Sequence, residues 1–415
     1  MSVPQRIYLD NNASTPLDRR VFEAMEPYLR GGHGNPSSLH WAGRPARAAV
    51  ETARGQVASL LRCSPEEIVF TGGGSEASNL AIKGTLFRAL LAGPREGAAP
   101  AAALSASPAP SGVSGDRHGQ GTAGAARPHA VTTAIEHPAT MQPLRFLQHW
   151  GLDVTIVPVD GQGRVDPREV EAALRPATVL VTVMHANNEV GTIQPIEEIS
   201  EITRARGVLL HTDAAQSVGK IACQVDSLGV DLLTVAAHKF YGPKGVGALF
   251  VRAGVELEPL IHGAGHEGGR RAGTENVPLI AGLGAACALA GELGARSFPV
   301  EERDFFESEL LRRFAGRVTI NGRQASRLPN TASVNFVGCV GAEILAAIPE
   351  VAASTGSACH SGSVEPSAVL RAMGVPLPEA MGTVRFSFGR GHRREETEWL
   401  LDRLAVVLDK PRTTP

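Results

Sequence analysis

Lys239 stands just beyond an apolar run, Asp231 to Ala237, and Gly242, Pro243 and Gly245 follow it closely. Such a run reads as a buried strand, and the glycines and proline as the tight turn after it. A desolvated ammonium is costly unless it is paired or used. One use is a lowered pKa, which leaves a free amine able to attack a carbonyl and form a Schiff base. A lone lysine here would read as an ordinary surface residue, but Lys239 has company. A second apolar run, Val208 to Leu210, leads into His211-Thr212-Asp213 and then Gln216. Taken singly, Asp213 would be an Asx-type turn and Gln216 a helix-surface amide. Beside Lys239 they form a set.

A strand-end carboxylate, an amide and a strand-end lysine are the groups that pyridoxal 5′-phosphate chemistry uses. Asp213 would keep the pyridine nitrogen protonated, Gln216 would donate to the phenolic oxygen, and Lys239 would hold the aldehyde as a Schiff base. On these residues the chain resembles the fold-type I pyridoxal-phosphate enzymes, and within them the cysteine desulfurases and their close relatives the selenocysteine lyases.

Other motifs agree with that resemblance. Ile68 to Phe70 leads into Thr71-Gly72-Gly73-Gly74-Ser75, a strand, a glycine turn and a helix start. Free N–H groups at such a start make an anion site, so Gly74 and Ser75 are expected to hold the cofactor phosphate. The resemblance implies that His137, after the run His129 to Ile135, stacks on the pyridine ring and relays protons. It puts Asn188 near the phenolic oxygen and the substrate carboxylate, and gives Asn35 a part in binding that carboxylate. It also implies a homodimer, in which Thr274, with Arg271 adding charge nearby, reaches the partner's cofactor phosphate. The family often has a hydroxyl residue three before the lysine; Ala236 stands there instead, and His238 is a further phosphate donor.

Cys359 lies in Ser354-Thr355-Gly356-Ser357-Ala358-Cys359-His360-Ser361-Gly362-Ser363-Val364-Glu365-Pro366, where small residues flank the thiol on both sides. The expectation is a mobile catalytic loop over 354–366. Its thiolate would attack the sulfur of bound L-cysteine, leaving a persulfide and releasing L-alanine. Arg385, in the strand-like Val384 to Phe388, carries a planar fork suited to an amino-acid carboxylate, and the resemblance assigns it the α-carboxylate. The partner expected for the sulfur is an acceptor protein such as an iron–sulfur scaffold. Selenocysteine lyase, acting on L-selenocysteine, is the alternative. Pro138 directly after His137 points away from it, since lyases resembling the mammalian ones carry an acid there. A partner-binding scaffold without catalysis and a plain aminotransferase are the remaining readings.

Strands alternating with helices through about Val251 must position these groups. They predict a doubly wound, mostly parallel α/β sheet with ligands at its carboxyl edge. The expected division is a large cofactor-binding domain over 15–262 and a smaller α/β domain made of 1–14 and 263–415. Residues 93–128, rich in Ala, Gly, Pro and Ser, read as a flexible insertion. With 415 residues and a formal net charge of -2, the chain has room for a large core and no polybasic face for nucleic acid or membrane. No apolar leader precedes the first strand, so the expected location is cytoplasmic. Cys63, Cys223, Cys287, Cys339 and Cys359 are odd in number and widely spaced, which argues against disulfides or a metal site.

Overall fold

The computed structural model of the chain describes residues 6–92, 127–294, 298–360 and 363–409, and of residues 92, 357–360, 363 and 364 the backbone alone. Strand β1 (Ile7–Tyr8) opens the described structure. Seven strands then build the central sheet: β2 (Ile68–Thr71), β3 (His129–Thr133), β4 (Asp153–Val157), β5 (Thr178–Thr182), β6 (Leu209–Asp213), β7 (Leu232–Ala236) and β8 (Gly247–Val251). Their order is β2-β8-β7-β6-β5-β3-β4, and β8 alone is antiparallel to its neighbours. The expected mostly parallel α/β fold is therefore present.

Strands covered on both faces must be apolar throughout, and β5, β6 and β7 are buried at every position. Their polar residues are satisfied internally. His211 is fully buried between Thr182 Oγ1 at 2.8 Å and Thr234 Oγ1 at 3.0 Å, and burial pushes its pKa down to about 3. A neutral imidazole can thus bridge neighbouring strands without an uncompensated charge. Because β2, β3, β5, β6 and β7 all point the same way, their carboxyl ends open on one edge.

The remaining strands form a second unit. They are β9 (Val318–Ile320), β10 (Thr331–Phe336), β11 (Val351–Ala352), β12 (Ser354–Thr355), β13 (Ser357–His360), β14 (Ser363–Pro366) and β15 (Thr383–Ser387). An antiparallel sheet runs β12-β15-β10-β9, while β1 pairs in parallel with β11. Ile7 and Leu9 share this unit's core with Phe306, Phe386 and Phe388. Phe306 packs edge-on to Phe386 and Phe388, with centroids 5.0 and 5.7 Å apart, a favoured aromatic geometry.

Two features differ from the sequence reading. The helix Val277–Leu293 falls within the span expected for the smaller unit, yet Val277, Ile280, Leu283 and Cys287 lie in the large sheet's core. Its small residues allow this. A Cβ added at Gly284 would come within 2.6 Å of the Ala53 Cα, so the helix can lie directly on Gly43–Leu61. The second difference is the cysteine segment, expected as a loop. Its backbone instead forms the β13–β14 hairpin, with Cys359 opposite Val364. The Cys359 side chain and residues 93–126 of the insertion lie outside what the structure describes. Among the described residues, no helix is long and apolar enough to cross a membrane, and no cluster of His, Cys, Asp and Glu is arranged to hold a metal.

Candidate active site

A cavity of about 500 Å³ opens at the carboxyl edge of the sheet. Gly74 and Ser75 line it after β2, His137 after β3 and Asn188 after β5. Asp213 ends β6 and Gln216 follows, while His238 and Lys239 follow β7. Eight residues singled out from widely separated motifs thus share one cavity, because parallel strands deliver their ends to one side.

Lys239 Nζ donates to two backbone carbonyls, Asn12 O at 2.7 Å and Ala13 O at 3.0 Å. Burial, aided by the Arg385 cation, pulls its pKa down to about 8, against the pull of Asp213 and Asp10. Near neutral pH a useful fraction of this amine is therefore uncharged. Burial moves the opposing acid the other way and raises Asp213, although the Ala215 N–H, His137 and Lys239 favour its charged form. Burial also lowers His137, opposed by Asp213. The His137 Nδ1 accepts from the Ala139 N–H at 3.1 Å, capping the helix Pro138–Gln148. A neutral His137 must therefore carry its proton on Nε2. Burial, with Lys239 and Lys244, takes His238 down to about 4.

Arg385 lies just outside the cavity and is fully engaged on one side. Nη2 donates to Asp10 Oδ1 at 2.7 Å and Ser354 Oγ at 2.9 Å, and Nη1 donates to Asn188 O at 2.9 Å. Its Nε is buried without a partner. The fork is anchored, with a donor still unused.

Like Arg385, Asn35 and Thr274 do not line this cavity. Asn35 is exposed, and its Oδ1 accepts from the Ser37 N–H at 2.9 Å, an Asx-type turn. Thr274 lines an adjoining cavity of about 210 Å³ beside Thr71 and Gly72. Arg271, its neighbour, is paired with Glu76 at 2.8 Å on the glycine turn.

The sequence reading missed Asn12, Lys220 and Glu136. Asn12 is fully buried and joins both units: its N–H donates to Ser387 Oγ, its Nδ2 to Thr331 Oγ1, and its carbonyl accepts from Gln216 Nε2 as well as Lys239. Lys220, also fully buried, donates to Asn12 Oδ1 and Gln216 Oε1. Glu136 accepts from Thr133 Oγ1 at 2.6 Å and the Met184 N–H at 2.9 Å, and burial pushes its carboxyl up to about 8. The four-residue spacing of Gln216 and Lys220 was a usable signal; Asn12 offered none beyond a polar run after a strand.

The chain matches the aminotransferase class-V family over residues 7–94 and 120–400. It is 43% identical to the cysteine desulfurase IscS of Dictyoglomus turgidum, over 99% of this chain and 96% of that protein. A solved NifS-like protein superposes with a TM-score of 0.83 at 34% identity, covering 97% of this chain and 99% of that one. The structure of SspA in complex with cysteine superposes with a TM-score of 0.76 at 36% identity, covering 92% and 99%. On this full-length likeness, the chain belongs to the aminotransferase class-V family, in the group formed by its cysteine desulfurases.

Proposed function

We propose that the chain is a pyridoxal 5′-phosphate-dependent cysteine desulfurase, which converts L-cysteine to L-alanine and moves the sulfur onto Cys359. The observation that carries this reading is Lys239. It is a half-buried amine with a lowered pKa, and it shares one cavity with a buried acid and a helix N-terminus. The cavity fits the cofactor: Asp213 offers a carboxylate on one wall, and Gly74 and Ser75 start a long helix on another. A Cβ at Gly74 would come within 3.0 Å of the Ala236 side chain, so the glycine leaves the cradle open. The bound cofactor supplies an electron sink that weakens the bonds at Cα of an amino acid.

The protein's own groups do the rest. Lys239 would hold the cofactor, and its amine is the base placed to take the Cα proton of the substrate. Asp213 would hold the ring nitrogen, Gln216 and Asn188 the phenolic oxygen, and His137 the ring face. Ser75 and His238 serve the phosphate, joined by Thr274 of a second copy in a homodimer. Arg385, with Asn188 and Asn35, receives the substrate carboxylate. The Cys359 thiolate bonds to the substrate sulfur as its carbon–sulfur bond breaks, and a proton replaces sulfur on the carbon, giving alanine and a protein persulfide. A sulfur-acceptor protein, such as an iron–sulfur scaffold in the cytoplasm, then takes the terminal sulfur. The bound cysteine in the similar SspA structure supports the choice of substrate.

The test is to measure alanine and sulfide formed from L-cysteine, and alanine from L-selenocysteine, in the wild type and in Cys359→Ser. Wild-type turnover of cysteine, lost in Cys359→Ser, is the expected result. Turnover of selenocysteine alone, or of neither, would overturn the reading.

A further inference from the structure

Lys220 has no exposed surface, and its hydrogen-bond partners are the neutral amide oxygens Asn12 Oδ1 at 3.0 Å and Gln216 Oε1 at 2.9 Å. A long amine buried without a carboxylate is an expensive way to fill space, and methionine would fill it at far lower cost. The geometry gives the amine a different purpose. The two ends of the Gln216 amide are alike in shape, so its partners decide which end faces where. Because Lys220 donates to Oε1, Nε2 is turned toward Asn12 O, to which it donates at 2.9 Å. That carbonyl also accepts from Lys239 Nζ at 2.7 Å.

We propose that Lys220 is a positioning residue for the Lys239 site: it fixes the amide of Gln216 and holds Asn12, on whose carbonyl both Gln216 and Lys239 rest. Burial, and then the cations Lys239 and Arg385, lower the Lys220 pKa well below its ordinary value. An uncharged amine keeps two N–H groups, and two acceptors are present. The role of Gln216 toward the cofactor rests on the functional reading above; the role of Lys220 toward Gln216 rests on hydrogen bonding alone.

The experiment titrates cofactor-free full-length protein with pyridoxal 5′-phosphate for the wild type, Lys220→Met, Gln216→Ala and the double variant, and records each melting temperature. Lys220→Met should weaken binding by about tenfold, the worth of one neutral hydrogen bond. In the Gln216→Ala background it should cost clearly less affinity than in the wild type, because only its hold on Asn12 is then left to lose. Equal losses in both backgrounds, or none in either, would overturn the proposal. A second measurement needs no Lys220 variant. In 15N-labelled cofactor-free protein, the Gln216 side-chain N–H groups should exchange slowly with solvent, and exchange as fast as that of a solvent-exposed amide would overturn it. If the wild type binds no pyridoxal 5′-phosphate, the functional reading fails, and the amide signals still judge Lys220.

Discussion

The cavity around Lys239 is smaller than the one beneath the 264–270 loop, about 500 against about 730 Å³, and the two treat charge in opposite ways. In the larger, Arg54 donates to both oxygens of Glu267, at 2.8 and 2.9 Å, and the Phe70 N–H donates to the same carboxylate at 2.9 Å. Burial alone would lower the Arg54 pKa, but Glu267, with Glu51, more than reverses it. In the smaller cavity, burial wins: Lys239 and His137 are lowered and Asp213 is raised. Paired charges stabilise a wall, whereas charges left partly uncompensated stay reactive. Volume does not separate these two cavities; the state of their charges does.

Substitutions can break that contrast. The largest effect belongs to Lys239→Ala, which should lower alanine formation at least about a thousandfold, since it removes both a nucleophile and a base. Turnover within tenfold of wild type would remove Lys239 from its role. Glu267→Gln strips Arg54 of its counter-charge and should destabilise the fold by roughly 3 kcal/mol, read in denaturant unfolding of the cofactor-free protein. An unchanged unfolding midpoint would mean that the larger cavity's pairing is not structural. Arg385→Lys keeps the charge but loses the fork, so kcat/KM for L-cysteine should fall by about tenfold or more, mainly through KM. An unaltered KM would move the carboxylate site elsewhere.

The smallest effect is a displaced titration. In the cofactor-free protein, acylation of Lys239 should reach half its plateau rate near pH 8, about where burial and Arg385 set its pKa. An ordinary lysine would titrate near about pH 10.4. Arg385→Met should move the Lys239 midpoint upward. The sign for stability follows. Between the folded value and the higher unfolded one, the unfolded chain binds more protons, so this residue's contribution grows as pH rises through that window. A midpoint at the ordinary lysine value would place Lys239 in the same class as a surface amine.

Much of the cavity was legible because each contributor follows its own strand. Lys239 and Asp213 announce themselves as polar residues after apolar runs, and the parallel sheet then brings such ends together whatever their separation. The groups behind them were not legible in this way. Asn12 meets Gln216 across 204 residues and Lys220 across 208, and no local period encodes such a meeting. The Asn35 side chain closes its own turn, as an Asn ahead of a proline commonly does, and its sequence neighbours show no more than that turn. The helix Val277–Leu293 was misassigned because its many small residues look alike on every face, and its place against Gly43–Leu61 comes from how closely two backbones can approach. The cysteine segment looked like a loop by composition, yet short polar strands pair in a hairpin when their backbone groups find each other.

The hydrogen bond from the Asn12 N–H to Ser387 Oγ spans 375 residues. On a ribosome adding about 5–20 residues per second, roughly 20–75 s separate the synthesis of those two partners. The carbonyls that cap Lys239 belong to the earlier one and to Ala13 beside it. A growing chain can lay down the strands of the large sheet well before β15 exists to anchor Asn12, so the reactive amine acquires its final surroundings only once β15 has been made. A chain stopped short of β15 has no Ser387 to hold Asn12, and the site around Lys239 waits on that strand.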